Sequence, residues 1–272
     1  MSNAIVKASE KWFTGMEKKL VSLIIPIYNE EVHLEEFCGK LLSCQFNFPV
    51  EYIFIDDGSS DKSYSILELF KDKQGVVIHR QAYNQGKGAA LSKGIELAKG
   101  GIVAIQDADF EYDPNDLGHL IDKVQNDEAD VVYGSRFKQQ SPQVHRTFHY
   151  LGNRFLTFLS NLMSGIYLSD METCYKVFRS EIIKGIHLEC RRFGFEPEVT
   201  AKLATLKIRI HEYSVSYNPR TYLAGKKIGW RDGVAAIWYI VKFNLLASFL
   251  KIPIVKREIL PSKYYLSSRQ WL

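Results

Sequence analysis

The segment Val21 to Asn29, VSLIIPIYN, opens as a near-continuous apolar run and stops in polar, turn-forming residues. Such a run predicts a strand buried on both faces, and a strand of that kind needs helices on both sides of its sheet. The rest of the chain supplies them. Glu30 to Gln45 reads as a helix with Val32, Leu34, Phe37, Leu41 and Leu42 as candidate buried positions. VEYIFIDDGS is a second strand followed by a helix from about Asp61 to Lys73, and VVIHR a third strand followed by the glycine-opened helix GKGAALSKGIELAKG. IVAIQDAD is a fourth strand ending in acids; a helix begins at Pro114, whose fixed φ suits a first helical turn, and ADVVYGSR is a fifth strand. This alternation predicts right-handed crossovers and an α/β fold with a mostly parallel sheet. Beyond Phe137 the rhythm changes to a long helix from about Thr147 to Met163, a short KVF strand, a helix near Glu198 to Leu206, the strand IRIHEYSVSY and a last helix from about Asp232 to Leu250.

Composition narrows the class. With 272 residues, 46% hydrophobic and 24% charged, the chain can bury a real core, and a net charge of only +4 gives no ground for nucleic-acid binding. That charge is unevenly spread. From Pro219 onward there are ten basic residues against two acidic ones, an excess of eight, which leaves the remainder with four acids in excess. Three of the four tryptophans, Trp230, Trp238 and Trp271, share this basic tail. Cys38, Cys44, Cys174 and Cys190 show neither CxxC nor metal-ligand spacing, so a reduced cytosolic chain is expected. Lys7, Glu10, Lys11 and Glu17 to Lys19 interrupt any apolar core of a signal peptide. Val234 to Leu250 holds one Lys and one Asn, and falls short of the ~20 residues that span a bilayer. It is open to three readings: a buried helix, an interfacial helix or a marginal span.

The chemically loaded residues fall just after strands, at the edge where open α/β sheets bind ligands. Asp107 and Asp109 flank Ala108, and in extended chain residues two apart point the same way. Both carboxylates can then meet one hard cation, Mg²⁺ or Mn²⁺, that bridges to a substrate diphosphate; the plain alternative is two acids in a polar turn. Glu111 stands two residues on, as a further ligand or a water acceptor. Asp56 and Asp57 follow a buried strand, and one of them is placed to accept a hydrogen bond from a nucleobase or ribose. NQGKGAA departs from the dinucleotide pattern at Leu91, but Lys87 and the helix start remain available to phosphate. No P-loop pattern is present.

Taken together, PIYNE, DDGSSD, NQGKGAA, DADFEYDP and GSRF resemble the GT-A catalytic domain of family 2 nucleotide-sugar glycosyltransferases. DMETCYKVF, FGFEPEVTAK and PRTYLAGKKIGW are similar, more narrowly, to dolichol-phosphate mannose and glucose synthases and their bacterial polyprenyl-phosphate relatives. The resemblance runs from about Val21 to Trp230, over three quarters of the chain. It implies that Pro26, Tyr28, Glu30, Ile55 and Asp57 line the nucleotide pocket, with Asp107, Ala108 and Asp109 at the metal and diphosphate; Asn29 and Lys87 are expected beside them at the nucleotide sugar. It further implies that Arg136, Arg220 and Lys226 or Lys227 lie near donor or acceptor phosphates. Those synthases often carry Gln where Glu111 stands, and the interval from Arg220 to the lysine pair is one residue longer here, which leaves open which lysine corresponds.

The reading that results is a metal-dependent transfer of sugar from a GDP- or UDP-sugar to a polyprenyl phosphate, with inversion implied by the resemblance alone. A lipid phosphate is already anionic and needs no strong base; a hydroxyl acceptor, as in polysaccharide assembly, requires one such as Glu198 or Asp170. Arg136, Arg146, Arg154 and Arg220 favour an anionic acceptor. A catalytically silent nucleotide-sugar binding module is the remote alternative. The expected organisation is an N-terminal extension over 1–19, a catalytic domain over 20–228 and a basic, aromatic tail over 229–272. Trp238, Tyr239, Phe243 and Phe249 make that tail an element for the membrane surface, so the enzyme is expected as a peripheral protein on the cytoplasmic face.

Overall fold

The computed structural model describes residues 19–138, 147–219, 230–247, 249–250, 252–256 and 258–266. Its centre is a seven-stranded sheet built from β1 (Val21–Ile27), β2 (Val50–Asp56), β3 (Val76–Arg80), β4 (Ile102–Ile105), β5 (Val131–Ser135), β6 (Lys176–Arg179) and β7 (Ile210–Ser214), in the order β3-β2-β1-β4-β6-β5-β7. The central strands are apolar on both faces because both faces are covered: Leu23, Ile24, Ile25, Ile53, Phe54, Val103 and Ala104 are all buried. The covering helices are α1 (Leu34–Ser43), α2 (Ser63–Glu68), α3 (Lys87–Leu97), α4 (Pro114–Gln125), α5 (Thr147–Ser164), α6 (Ser180–Gly185), α7 (Phe195–Leu203) and α8 (Trp230–Val241). In α4 the Asp113 side chain caps Asn115 N–H and Pro114 opens the first turn. At Gly94 a Cβ would collide with Ile24, so α3 lies against β1 only because that position lacks a side chain.

One feature departs from the expected parallel arrangement. β6 enters between β4 and β5 and is antiparallel to both, pairing Ala104 with Val177 and Tyr133 with Lys176. A strand with only two apolar residues, Val177 and Phe178, carries no directional signal, so the sequence could not reveal this. The reversal puts the start of β6, and the loop before it, at the carboxyl edge of its two neighbours.

The C-terminal part also differs from one long helix. The α-helix ends at Val241 and passes into a π-helical turn over Lys242–Leu246. Its Ala236, Ile240, Phe243 and Ala247 are buried, and α8 packs on α5 and α7, so it is docked on the body while Val234, Trp238, Leu245 and Phe249 stay exposed. Among the described residues no helix is long and apolar enough to cross a membrane.

Candidate active site at the carboxyl edge of the sheet

The chain leaves β1 toward β2 and β3 on one side, then returns to β4 on the other. The loops after β1 and β4 therefore diverge and open a crevice. Backbone hydrogen bonds to side chains stitch the loops after β1 and β2 together. Asn29, at φ 50°, donates its N–H to Ser59 Oγ at 3.0 Å and accepts from Ser60 N–H at 2.9 Å; Glu30 N–H reaches Ser63 Oγ at 2.8 Å. Gly58 turns the second loop at φ +66°, where a Cβ would stand 2.5 Å from the Tyr83 carbonyl carbon. Pro26, Tyr28 and Glu30 remain partly exposed at this edge, and Ala108 is nearly enclosed. Ile55 is fully buried in β2 and has no side-chain surface to give a ligand.

Asp57 has a different task from the expected contact to base or ribose. Its oxygens accept from Gln81 Nε2 at 2.8 Å, Gln85 N–H at 2.8 Å and Gly86 N–H at 2.7 Å. Burial raises its pKa against these hydrogen bonds, which pull the other way. Asp57 thus fixes the 81–86 loop and so aims the first turn of α3. Asp56, also enclosed, faces Arg80 Nε at 3.2 Å.

That aim delivers Lys87. Its ammonium lies 2.9 Å from Asp107 Oδ1 and 3.4 Å from Glu196 Oε1. Burial works to lower its pKa, but Asp107 and Glu196 outweigh burial and hold it well above the ordinary lysine value, so it stays charged. Asp109 Oδ1 accepts from Glu111 N–H at 3.0 Å, which folds the turn after β4. Glu111 does not join the aspartates: its carboxylate accepts from Tyr217 O–H at 3.3 Å, and its carbonyl from Asn218 N–H at 2.8 Å. Among the described residues no three His, Cys, Asp or Glu side chains form a ready metal cage. Two carboxylates two residues apart nonetheless fit a hard divalent ion whose shell is completed by diphosphate oxygens and water.

Arg136, at the end of β5, is clamped by Asp170. Its backbone N–H, Nε and Nη2 donate to the Asp170 carboxylate at 3.0, 2.7 and 2.7 Å, and the guanidinium lies 5.2 Å from the Tyr217 ring centroid. Glu212 fixes the loop that carries Asp170, accepting from Ser169 and Asp170 N–H at 2.9 Å each. Asp170 is consequently a fully buried partner of Arg136 rather than a base. Glu198 is also corrected. It is fully buried in α7, accepts from Glu189 and Cys190 N–H at 2.9 and 2.8 Å, and pairs with Lys202 Nζ at 2.6 Å. Arg154 is exposed and donates to the Ser169 carbonyl at 3.0 Å. Arg146, Arg220, Lys226 and Lys227 lie outside the described residues.

Two acids that received no role from sequence reasoning enter this region. Glu196 meets Lys87, and Glu172 precedes antiparallel β6. Both lay inside conspicuous stretches, FGFEPE and DMETCYK, but their placement depends on the α7 packing and the β6 reversal. Tyr112, Tyr175 and Tyr217 pack together beside these loops: the Tyr112 ring lies tilted at 4.6 Å from that of Tyr175 and 5.3 Å from that of Tyr217, and Tyr175 O–H donates to Gln106 at 2.6 Å. The crevice thus carries a carboxylate pair on one strand end and a clamped guanidinium on another. That set suits neutralising and orienting a phosphorylated ligand.

Comparison with known proteins gives this geometry a family. Residues 22–186 match Glycosyl transferase family 2. A dolichyl-phosphate beta-glucosyltransferase of Trichomonas vaginalis is 30% identical over 217 residues, covering 73% of this chain and 65% of that protein. A dodecaprenyl-phosphate galacturonate synthase of Rhizobium johnstonii is 26% identical over 210 residues, covering 76% and 61%. The chain thus spans less than two thirds of either relative's length. The crystal structure of glucosyl-3-phosphoglycerate synthase from Mycobacterium tuberculosis, in complex with Mn²⁺, UDP and glucosyl-3-phosphoglycerate, superposes with a TM-score of 0.62 at 15% identity over 86% of this chain and 81% of that one. That likeness makes the fold GT-A, and with the match over more than half its length, the chain is a glycosyltransferase belonging to Glycosyl transferase family 2.

Proposed function

We propose that this enzyme transfers a sugar from a nucleoside diphosphate sugar to a polyprenyl phosphate at a membrane surface, with inversion by a single displacement at the sugar carbon. The observation that carries the reading is one crevice in which Asp107, Asp109 and Lys87 stand at the end of β4 and the start of α3, and Arg136 at the end of β5. The names of both relatives, each a sugar transferase or synthase of a lipid phosphate, support it.

Mechanism follows from the chain's own groups. Asp107 and Asp109 would hold a divalent cation, Mg²⁺ or Mn²⁺, which supplies charge neutralisation to the leaving diphosphate. Lys87, kept charged by its two acids, adds a fixed positive field beside the same oxygens. Arg136 is locked in orientation by Asp170 through Nε and Nη2, and its guanidinium would orient an anionic acceptor. A phosphate oxygen attacks without losing a proton first, which suits a site where Glu198 and Asp170 are both enclosed and ion-paired. Arg220, Lys226 or Lys227 would complete the acceptor side.

The membrane role rests on two exposed apolar rows. α5 presents Leu151, Phe155, Phe158 and Leu162 at helical spacing, and α8 with its following turn presents Val234, Trp238, Leu245 and Phe249. The two helices pack on one another, so the rows lie on neighbouring elements. In this reading residues 20–228 are the catalytic domain and 229–272 a docked, membrane-facing tail, and the protein is peripheral on the cytoplasmic face. A radiolabelled donor assay tests the function: polyprenyl phosphate should yield label in the organic phase, and label found only on a water-soluble sugar acceptor would reject the lipid assignment.

A further inference from the structure

Antiparallel β6 lies between β4 and β5, so the loop Asp170–Tyr175 reaches the carboxyl edge between the strand that bears Asp107 and the strand that bears Arg136. In any displacement at a sugar carbon, the sugar sits between leaving diphosphate and incoming acceptor. Those two are assigned to Asp107 with Lys87 and to Arg136. The intervening loop is therefore the part of the protein that flanks the sugar.

The loop's charged neighbours are almost all committed. Asp170 is spent on Arg136, and Glu196 on Lys87. Lys176 is buried, donates to the Met171 and Thr173 carbonyls and lies 4.7 Å from the Tyr133 ring centroid. Glu172 is the exception. It is partly exposed, yet its Oε1 is enclosed and meets no hydrogen-bond donor among the described residues, and the neighbouring Thr173 Oγ1 is enclosed in the same way. Enclosed polar atoms are rarely left without a partner, and such an atom marks a place where something polar belongs. Burial, reinforced by Glu196, raises the Glu172 pKa against the pull of Lys176 and Arg136. A group in that condition gains from hydroxyl neighbours and loses from a further negative charge.

We propose that Glu172 is a specificity-determining residue of the donor-sugar subsite, engaging the hydroxyls of an uncharged hexosyl group and rejecting donors whose sugar carries a carboxylate. This deepens the donor-site reading above and rests on it. Similarity does not decide the point, because one relative is named for glucose and the other for galacturonate. Here Glu172, Glu196, Asp170 and Asp107 already set four carboxylates against Lys87, Lys176 and Arg136, and a uronate would add a fifth.

The test uses the purified chain with Mn²⁺ and polyprenyl phosphate in detergent. Bare UDP and GDP are titrated first. Transfer is then measured from UDP-glucose against UDP-glucuronate, or GDP-mannose against GDP-mannuronate. The neutral donor should be preferred at least about tenfold in kcat/KM. Glu172→Gln, nearly isosteric, should bind the bare nucleotide within about twofold of wild type and narrow that preference at least about tenfold; Glu172→Ala should lose the neutral donor mainly through KM. If neither nucleotide binds, the donor-site reading itself fails. If nucleotide binds but the uronate is used equally well, or Glu172→Gln leaves the ratio unchanged, only this inference fails. Equal weakening of bare nucleotide and nucleotide sugar by Glu172→Gln would make the residue merely structural. A loss of three orders of magnitude in kcat with an altered pH profile would make it a base toward a hydroxyl acceptor, and either result overturns the proposal.

Discussion

Replacing Asp170 with Asn isolates how Arg136 is held. Asp170 is wholly enclosed, Arg136 is 9% exposed, and three hydrogen bonds join them at 2.7 to 3.0 Å. Removing one partner of a buried pair costs about 3–5 kcal/mol, because the other charge stays buried and unmatched. Asn keeps one acceptor oxygen but turns an amide N–H₂ toward the guanidinium or the Arg136 N–H, so a loss of about 3 kcal/mol is expected in urea unfolding. Arg136→Met should cost a similar amount by stranding the carboxylate. The double variant Arg136→Met/Asp170→Leu should cost less than the singles together, with a coupling of about 2 kcal/mol or more. Arg136→Lys keeps charge but not the fork, and should lower transfer about a hundredfold. Single variants within about 0.5 kcal/mol of wild type, the scatter expected of a surface site, or strictly additive singles would show that the clamp does not organise this edge.

Other parts of the molecule give independent checks. Glu198→Gln should lower stability by about 2–3 kcal/mol through the stranded Lys202 ammonium, while the pH profile of transfer keeps its shape; a shifted profile would return Glu198 to the chemistry. At Asp130, burial pushes the pKa up, but hydrogen bonds from Arg209 and Arg179 outweigh it and hold the carboxyl at about 2. Its stabilising contribution is complete above the ordinary carboxylate value of about 3.9 and disappears as pH falls through about 2. Asp130→Asn should thus unfold about 1 kcal/mol more easily at pH 7, allowing for solvent around Arg209, and calorimetry should show the gap from wild type closing below pH 4, as the ~3.9 reference requires. Phe158→Gln with Trp238→Gln should weaken binding to anionic vesicles at least about fivefold while nucleotide affinity holds; deleting the tail is the poorer test, since Ile240 and Phe243 are buried. Chelation by EDTA should abolish transfer, and Mn²⁺ or Mg²⁺ should restore it.

The strands of this fold are legible because burial on both faces leaves an apolar run that needs no knowledge of its neighbours. The acids after β2 and β4 are legible as an edge for the same reason, since they sit where those runs stop. Direction and partnership are not written locally. KVF reads the same whichever way β6 runs, and its reversal alone brings Glu172 to the crevice. Asp57 looked like a ligand to base or ribose and Glu198 like a base, because an acid beside a strand or helix end is chemically suggestive. Their hydrogen-bond donors come from Gln81, Gln85, Gly86, Glu189 and Cys190, segments that only the folded chain brings near. Arg136 was legible as a cation and not as a clamped one, because Asp170 stands 34 residues away.

These pairings bear on why the chemistry should need an added cation. Lys87 is matched by Asp107 and Glu196, Arg136 by Asp170 and Lys202 by Glu198, so the enclosed charges near the crevice are largely balanced before any ligand arrives. Balanced pairs keep rigid donors in place at little cost in later reorganisation, which is what electrostatic catalysis requires. Yet they leave little net positive charge to meet a diphosphate that gains negative charge as its bond to the sugar breaks. Asp107 and Asp109 make that shortage worse unless they hold a divalent ion, which would supply the missing positive charge. The same accounting favours an acceptor that needs no base: Asp57, Asp170, Glu196 and Glu198 are each already engaged in holding a cation or a loop.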